Sequence, residues 1–97
     1  MYKSFFQTDN FNLKKFISYI PNKKNKILDY GCGNGIFSNK ILKHKNIRSI
    51  KMMDRNKRLK LFIENKYYNN PKIEWTNSKD GYYDVVLINS VIQYLSL

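Results

Sequence analysis

Ile27-Leu28-Asp29-Tyr30-Gly31-Cys32-Gly33-Asn34-Gly35 is the stretch on which the fold turns. Its first half is short and apolar, which predicts a buried strand over residues 26–30. Its second half carries three alternating glycines, where a strand stops. Beyond Gly35, Ile36, Phe37, Ile41 and Leu42 fall on one helical face, predicting a helix that fades out around His44 to Asn46. A strand, a glycine turn and a helix in succession make one arm of a βαβ unit. Glycines let the backbone turn sharply and approach a ligand closely, and the helix start offers N–H groups and a positive dipole end to an anion.

Working outward, Thr8, Asp9 and Asn10 offer capping side chains, and Leu13, Phe16, Ile17 and Ile20 repeat at helical spacing. They predict an amino-terminal helix over residues 9–20, ended by Pro21. Downstream, residues 47–54 alternate and then close on two methionines, a second strand ending at Asp54. Asn56 caps a further helix with Leu59, Leu61, Phe62 and Ile63 on its apolar face and Tyr67 behind them, and Pro71 stops it. Residues 73–75 read as a short third strand, Asp80-Gly81 as a turn, and residues 83–88 as a strand buried on both faces. Ser90 caps a helix beginning at Val91. The alternation predicts an α/β fold with a parallel sheet and right-handed crossovers, half of a doubly wound fold.

The 97 residues allow one small domain, and 42% apolar content is enough for a core. A lone cysteine excludes an internal disulfide, and no leader pattern opens the chain, so a reducing, cytoplasmic setting is expected. No apolar run approaches the roughly 20 residues that span a bilayer, so no membrane partner is expected. Net charge is +11, yet lysine supplies 15 of the 18 cations beside 13 asparagines, a pairing that AT-rich coding produces without any partner. The excess is uneven: residues 40–60 sum to +8 and residues 61–97 to −1.

The spacing of the glycines separates two cofactor classes. A dinucleotide fingerprint places glycine at its first, third and sixth positions, and the sixth counted from Gly31 is Ile36. The segment resembles instead the first motif of the class I S-adenosylmethionine-dependent methyltransferases, acid-x-Gly-x-Gly-x-Gly, matched by Asp29, Gly31, Gly33 and Gly35, with Cys32 an ordinary occupant of the loop. The resemblance covers nearly the whole chain but only the amino-terminal, cofactor-binding half of the family fold, and implies an incomplete Rossmann-like doubly wound parallel sheet of about four strands in the order 3-2-1-4, with helices on both faces. It implies S-adenosylmethionine as cofactor and assigns Asp54, at the end of the second strand, to the ribose, with Met53 or Arg55 flanking the adenine. The loop after the third strand is short, and Asn77 or Ser78 would substitute there for the family's acid toward the adenine amine. Asn89 and Ser90, after the fourth strand, would lie near the methionine part. The cofactor is net positive, and Asp29 and Asp54 are two of only seven acids in the chain. Catalytic residues are not identifiable: methyl transfer needs mainly positioning, and no acid–base constellation is visible.

The resemblance implies methyl transfer within a unit spanning residues 1–97, made of the amino-terminal helix and a core over residues 26–97. Residues 83–95 do not carry the Asn-Pro-Pro-aromatic or Asp-Pro-Pro-Tyr motif of amino-group nucleic-acid methyltransferases, which favours a small-molecule acceptor. The strands that shape an acceptor pocket in the family do not follow within the chain, so activity of the chain alone is doubtful. Two alternatives stay open: a non-catalytic Rossmann-like remnant serving as an interaction module, and a nucleic-acid methyltransferase fragment using residues 40–60 as a phosphate-contacting patch. No metal set is expected from one cysteine and one histidine. An open fourth strand, apolar and built for a sheet interior, would call for a protein partner or self-association.

Overall fold

The computed structural model describes residues 2–5, 13–88 and 91–95. Its elements run β1 (Tyr2–Phe5), α1 (Leu13–Ser18), β2 (Lys26–Tyr30), α2 (Ile36–His44), β3 (Ser49–Met53), α3 (Leu59–Lys66), β4 (Ile73–Trp75), β5 (Val85–Ile88) and β6 (Val91–Leu95). One sheet holds all six strands in the order β1-β6-β5-β2-β3-β4. Its middle is the parallel set β4-β3-β2-β5, the expected 3-2-1-4 order, with β2 paired to β3 and β5. Each pair is joined through a helix or a long connection, as parallel strands require.

Two expectations are corrected at the chain ends. Residues 91–95 are not a helix but a strand, antiparallel to β5 through Ile88↔Val91 and to β1 through Tyr2↔Leu95. The fourth parallel strand is therefore not an open edge, because β6 pairs along its whole length. Apolar residues at 91, 92, 94 and 95 suit either period over so short a span, and the partner that decides the matter lies about ninety residues upstream. The amino-terminal helix is described from Leu13 to Ser18, with residues 6–12 outside the described residues.

The register separates the two sheet faces. Ile27, Ile50, Met52, Trp75, Val85 and Leu87 share one face and are buried together with Ile17, Ile20, Ile41, Ile63 and Tyr67 from the helical side. The helices expected on both faces are met, among the described residues, on this one. The opposite face carries buried Leu28 and half-buried Tyr30, Met53, Val86 and Ile88, with Lys51 paired to Glu74 on neighbouring strands.

Helix α2 starts at Gly35, whose φ of 80° is left-handed, and the Asn34 side chain accepts the Ile36 N–H at 3.2 Å. A Cβ on Gly35 would stand 3.0 Å from Tyr67 Cε2, 3.1 Å from Met52 Cε and 3.2 Å from Ile63 Cδ1. At Gly33, φ is +56° but, among the described residues, nothing lies within 4 Å of the same position. Both substitutions to alanine strain the backbone, by about 1 kcal/mol, and only the one at Gly35 also crowds a packed core, by about 1–3 kcal/mol more. Urea unfolding of Gly35→Ala and Gly33→Ala is expected to show the first as the less stable by at least about 1 kcal/mol, at unchanged m.

Candidate functional site

Parallel strands bring their carboxyl ends to one rim, and the register Tyr30↔Met53 sets the glycine loop beside the end of β3. The loop is anchored there. The Met53 carbonyl accepts both the Gly31 N–H at 2.7 Å and the Cys32 N–H at 3.0 Å. Asp54 completes the link, its Oδ2 accepting the Gly33 N–H at 3.0 Å and its Oδ1 the Asn56 N–H at 2.9 Å. Gly35 N–H donates to the Cys32 carbonyl at 3.0 Å. The N–H groups of Gly31, Cys32, Gly33, Gly35 and Ile36 are thus engaged within the chain, which corrects the expectation of a loop offering free donors to an anion.

What the rim offers instead is a cleft and a pair of carboxylates. The cleft, about 300 Å³, is lined by Tyr30, Gly31, Met53, Asp54, Arg55 and Lys57. Asp29 lies beneath it on the helix side of the sheet, 3% exposed, accepting a 2.6 Å hydrogen bond from Ser38 Oγ. Burial pushes the Asp29 carboxyl up to about 6; the Ser38 bond opposes that shift and the Asp54 charge adds to it. Burial, followed by the Asp29 and Asp54 charges, likewise pushes the Cys32 thiol up to about 12. A thiol so far from ionising is no nucleophile at neutral pH.

Of the residues singled out from sequence, Asp29, Gly31, Cys32, Gly33, Gly35, Asp54 and Arg55 come together at this rim. Asn77 does not line the cleft; its Oδ1 accepts the Trp75 indole N–H at 2.9 Å. Asn89 and Ser90 lie outside the described residues. Asp84 belongs to the opposite rim, as its place at the start of a strand implied. It accepts the Lys26 N–H at 2.8 Å, and this bond, with Lys23 close by, lowers its pKa.

Four contributors escaped the sequence reading of the site. Tyr30 and Lys57 line the cleft, Ser38 holds Asp29, and Tyr67 supports the loop from below, its hydroxyl donating to the Asn34 carbonyl at 3.2 Å. Ser38 alone had a signal: a polar residue three positions past Gly35 on the apolar side of α2, where burial demands a partner.

Comparison with known proteins agrees with this geometry. A family model described as a methyltransferase domain matches residues 2–96. A search of curated sequences finds no match. Among solved structures, a candidate RNA methyltransferase of Pyrococcus horikoshii superposes with a TM-score of 0.64 at 15% identity, over 78% of this chain and 40% of that one. A candidate S-adenosylmethionine-dependent methyltransferase of Listeria monocytogenes gives 0.59 at 23% identity, over 78% and 37%. Coclaurine N-methyltransferase, bound to N-methylheliamine and S-adenosylhomocysteine, gives 0.59 at 20%, over 86% and 30%. The chain thus spans 30–40% of the length of these three structures. Joined to a 3-2-1-4 parallel core with an acid and three glycines at its carboxyl rim, the match assigns the chain to the methyltransferase-domain family, as the amino-terminal half of the class I S-adenosylmethionine-dependent fold.

Proposed function

We propose that the cleft between the ends of β2 and β3 holds the adenosine part of S-adenosylmethionine, and that the chain supplies the cofactor-binding half of a methyltransferase. The observation that carries this reading is the Asp54 carboxylate standing at the cleft 3.0 Å from the Gly33 N–H, in a chain with few acids to spare. Two carboxylate oxygens suit the two hydroxyls of a ribose. Arg55, exposed at the same cleft, can lie flat along a purine. Open space at the Gly33 Cβ position leaves room for close approach to the loop backbone. The residues present therefore fit the cofactor.

When bound, S-adenosylmethionine supplies a sulfonium-activated methyl group, so the chain's own task is to hold and orient rather than to move protons. Asp29 and Asp54 provide negative charge toward a cationic ligand, and the neutral Cys32 thiol keeps a competing nucleophile out of the loop. Asn89 is the proposed main-chain contact for the methionine part. A small-molecule acceptor is favoured because residues 83–95 lack the base-amine motif. The lone thiol fits the reducing cytoplasm, and among the described residues no helix is long and apolar enough to cross a membrane.

Calorimetry with S-adenosylmethionine tests the reading. The parent chain is expected to bind, and Asp54→Asn to bind at least about tenfold more weakly, since a hydrogen bond to a charged group contributes about 1.5–3 kcal/mol. A parent chain that does not bind would leave the remnant reading standing. Affinity is also expected to rise with pH through about 6, where Asp29 ionises and attracts the cationic ligand. Asp29→Asn should flatten that dependence.

The same carboxyl shapes stability. Its folded pKa, raised from 3.8 to about 6, means the folded state holds the proton more tightly than the unfolded one. Stability therefore falls as pH rises from about 4 to 6, by a total of order 3 kcal/mol. Asp29→Asn, which can still accept from Ser38, is expected to be more stable than the parent at pH 7.5. The gain should vanish below pH 4, as measured by urea unfolding at the two pH values.

A further inference from the structure

The cations of residues 40–60 do not form one patch. Arg55 and Lys57 line the donor cleft, Lys51 pairs with Glu74, and Lys60 pairs with Glu64 at 3.3 Å. A cationic surface is assembled from three separate turns at the amino-terminal rim of the sheet, the rim away from the glycine loop. Two adjoining clefts lie there. One, about 370 Å³, is lined by Asn22, Lys23, Lys24, His44, Lys45 and Asn46. The other, about 420 Å³, shares Lys24 and Asn46 with it and adds Arg48 and Lys72. Among the described residues, no acid lines either cleft. Asp84, beside Lys23 at 3.3 Å, is the neighbouring acid and is already held by the Lys26 N–H.

The rim is built and not incidental. Buried Asn25 clamps the first turn, its Nδ2 donating to the Pro21 carbonyl at 2.8 Å and the Lys23 carbonyl at 3.0 Å. Its own carbonyl accepts the Arg48 N–H at 2.9 Å, which brings the turn carrying Lys24 against the one carrying Arg48. Lys45 Nζ reaches Asn22 Oδ1 at 2.6 Å, and the Lys72 carbonyl accepts the Ile50 N–H at 2.7 Å. Five lysine and arginine side chains are thus gathered around two clefts by backbone bonds that the charges themselves do not require. Like charges this close repel within a Debye length of about 8 Å, and a bound polyanion relieves the repulsion while releasing its own counterions.

We infer that this rim is a docking surface for the phosphodiester backbone of a nucleic acid. Consecutive clefts with shared cations and amide donors suit a chain of phosphates, which takes contacts from lysine, arginine and asparagine alike. An anionic membrane is the weaker fit, because the lining offers no large exposed apolar side chain to enter the headgroup layer. The strands between the rims are about five residues long, roughly 16 Å, so a strand docked here lies apart from the donor cleft. The surface anchors the protein, is separate from whatever receives the methyl group, and does not depend on the donor reading.

Fluorescence anisotropy with a labelled 20-nucleotide oligouridylate tests it on the whole chain. The parent should bind at 50 mM salt, with log affinity falling against log salt at a slope of about −2 to −3, the value for three or four phosphates on a single strand. Lys24→Gln, Arg48→Gln and Lys72→Gln together should weaken binding at least tenfold and flatten the slope. Lys14→Gln, Lys40→Gln and Lys66→Gln, exposed cations elsewhere, remove the same charge and should change affinity less than threefold. Lys72→Gln alone, expected to weaken binding two- to fivefold, serves if circular dichroism shows the triple variant unfolded. Equal loss in both triple variants, no binding at 50 mM salt, or binding to phosphatidylserine vesicles without binding to the oligonucleotide would each overturn the inference.

Discussion

A single carbonyl oxygen organises the candidate site. Met53 O accepts from Gly31 and Cys32 at once, tying the end of β2 to the end of β3 one residue past their last ladder pair. Without that link the glycine loop would be free to lift from the sheet, and Asp54 would have no reason to face it. With it, the Asp54 carboxylate falls within reach of the Gly33 N–H, and the two chemistries of the rim, backbone turn and acid, become one surface. The link is supported from beneath by Tyr67, whose ring fills the space that a side chain at position 35 would need. Tyr67, which caps α3, thereby shapes a loop more than thirty residues before it.

The parallel core was legible because its signals are local. Residues 26–30 and 85–88 are apolar runs bounded by turn residues, and the three helices keep their stripes over enough residues to declare a period. The glycine spacing and the acid at the end of β3 were legible for the same reason: each lies at a strand end that periodicity had already located. What was not legible depends on distant partners. Residues 91–95 become a strand because β5 and β1 flank them, and the Tyr2–Phe5 segment becomes a strand because β6 does. Asn77 reads as a free amide beside a shortened loop, but the Trp75 indole two residues earlier takes its oxygen.

The acids show the same division. That Asp29 and Asp54 stand near one another follows from adjacent strands, and sequence sufficed for it. That one is buried and the other half-exposed does not, because it depends on which sheet face the helices cover. Asp29 points to the covered face, where Ser38 is its hydrogen-bond donor, so burial rather than the second acid dominates its behaviour. An acid held there at a cost to stability is hard to explain as a packing residue, since an apolar side chain of similar size would serve the core better. A ligand of positive charge gives it a use.

The placing of acids is something that composition conceals. The chain is strongly basic overall, yet two of its seven acids meet at the carboxyl rim, while the amino-terminal rim gathers lysines and an arginine around clefts in whose lining, among the described residues, there is no acid. Cations stand at both rims, Arg55 and Lys57 at the donor cleft among them. Lys51 and Lys60 are paired off with glutamates, and those at the far rim are held together by the Asn25 main-chain carbonyl and side-chain amide. Compositional bias can account for how many cations there are. It does not account for a buried asparagine that binds two of their turns together, and that residue is what gives the basic rim its shape.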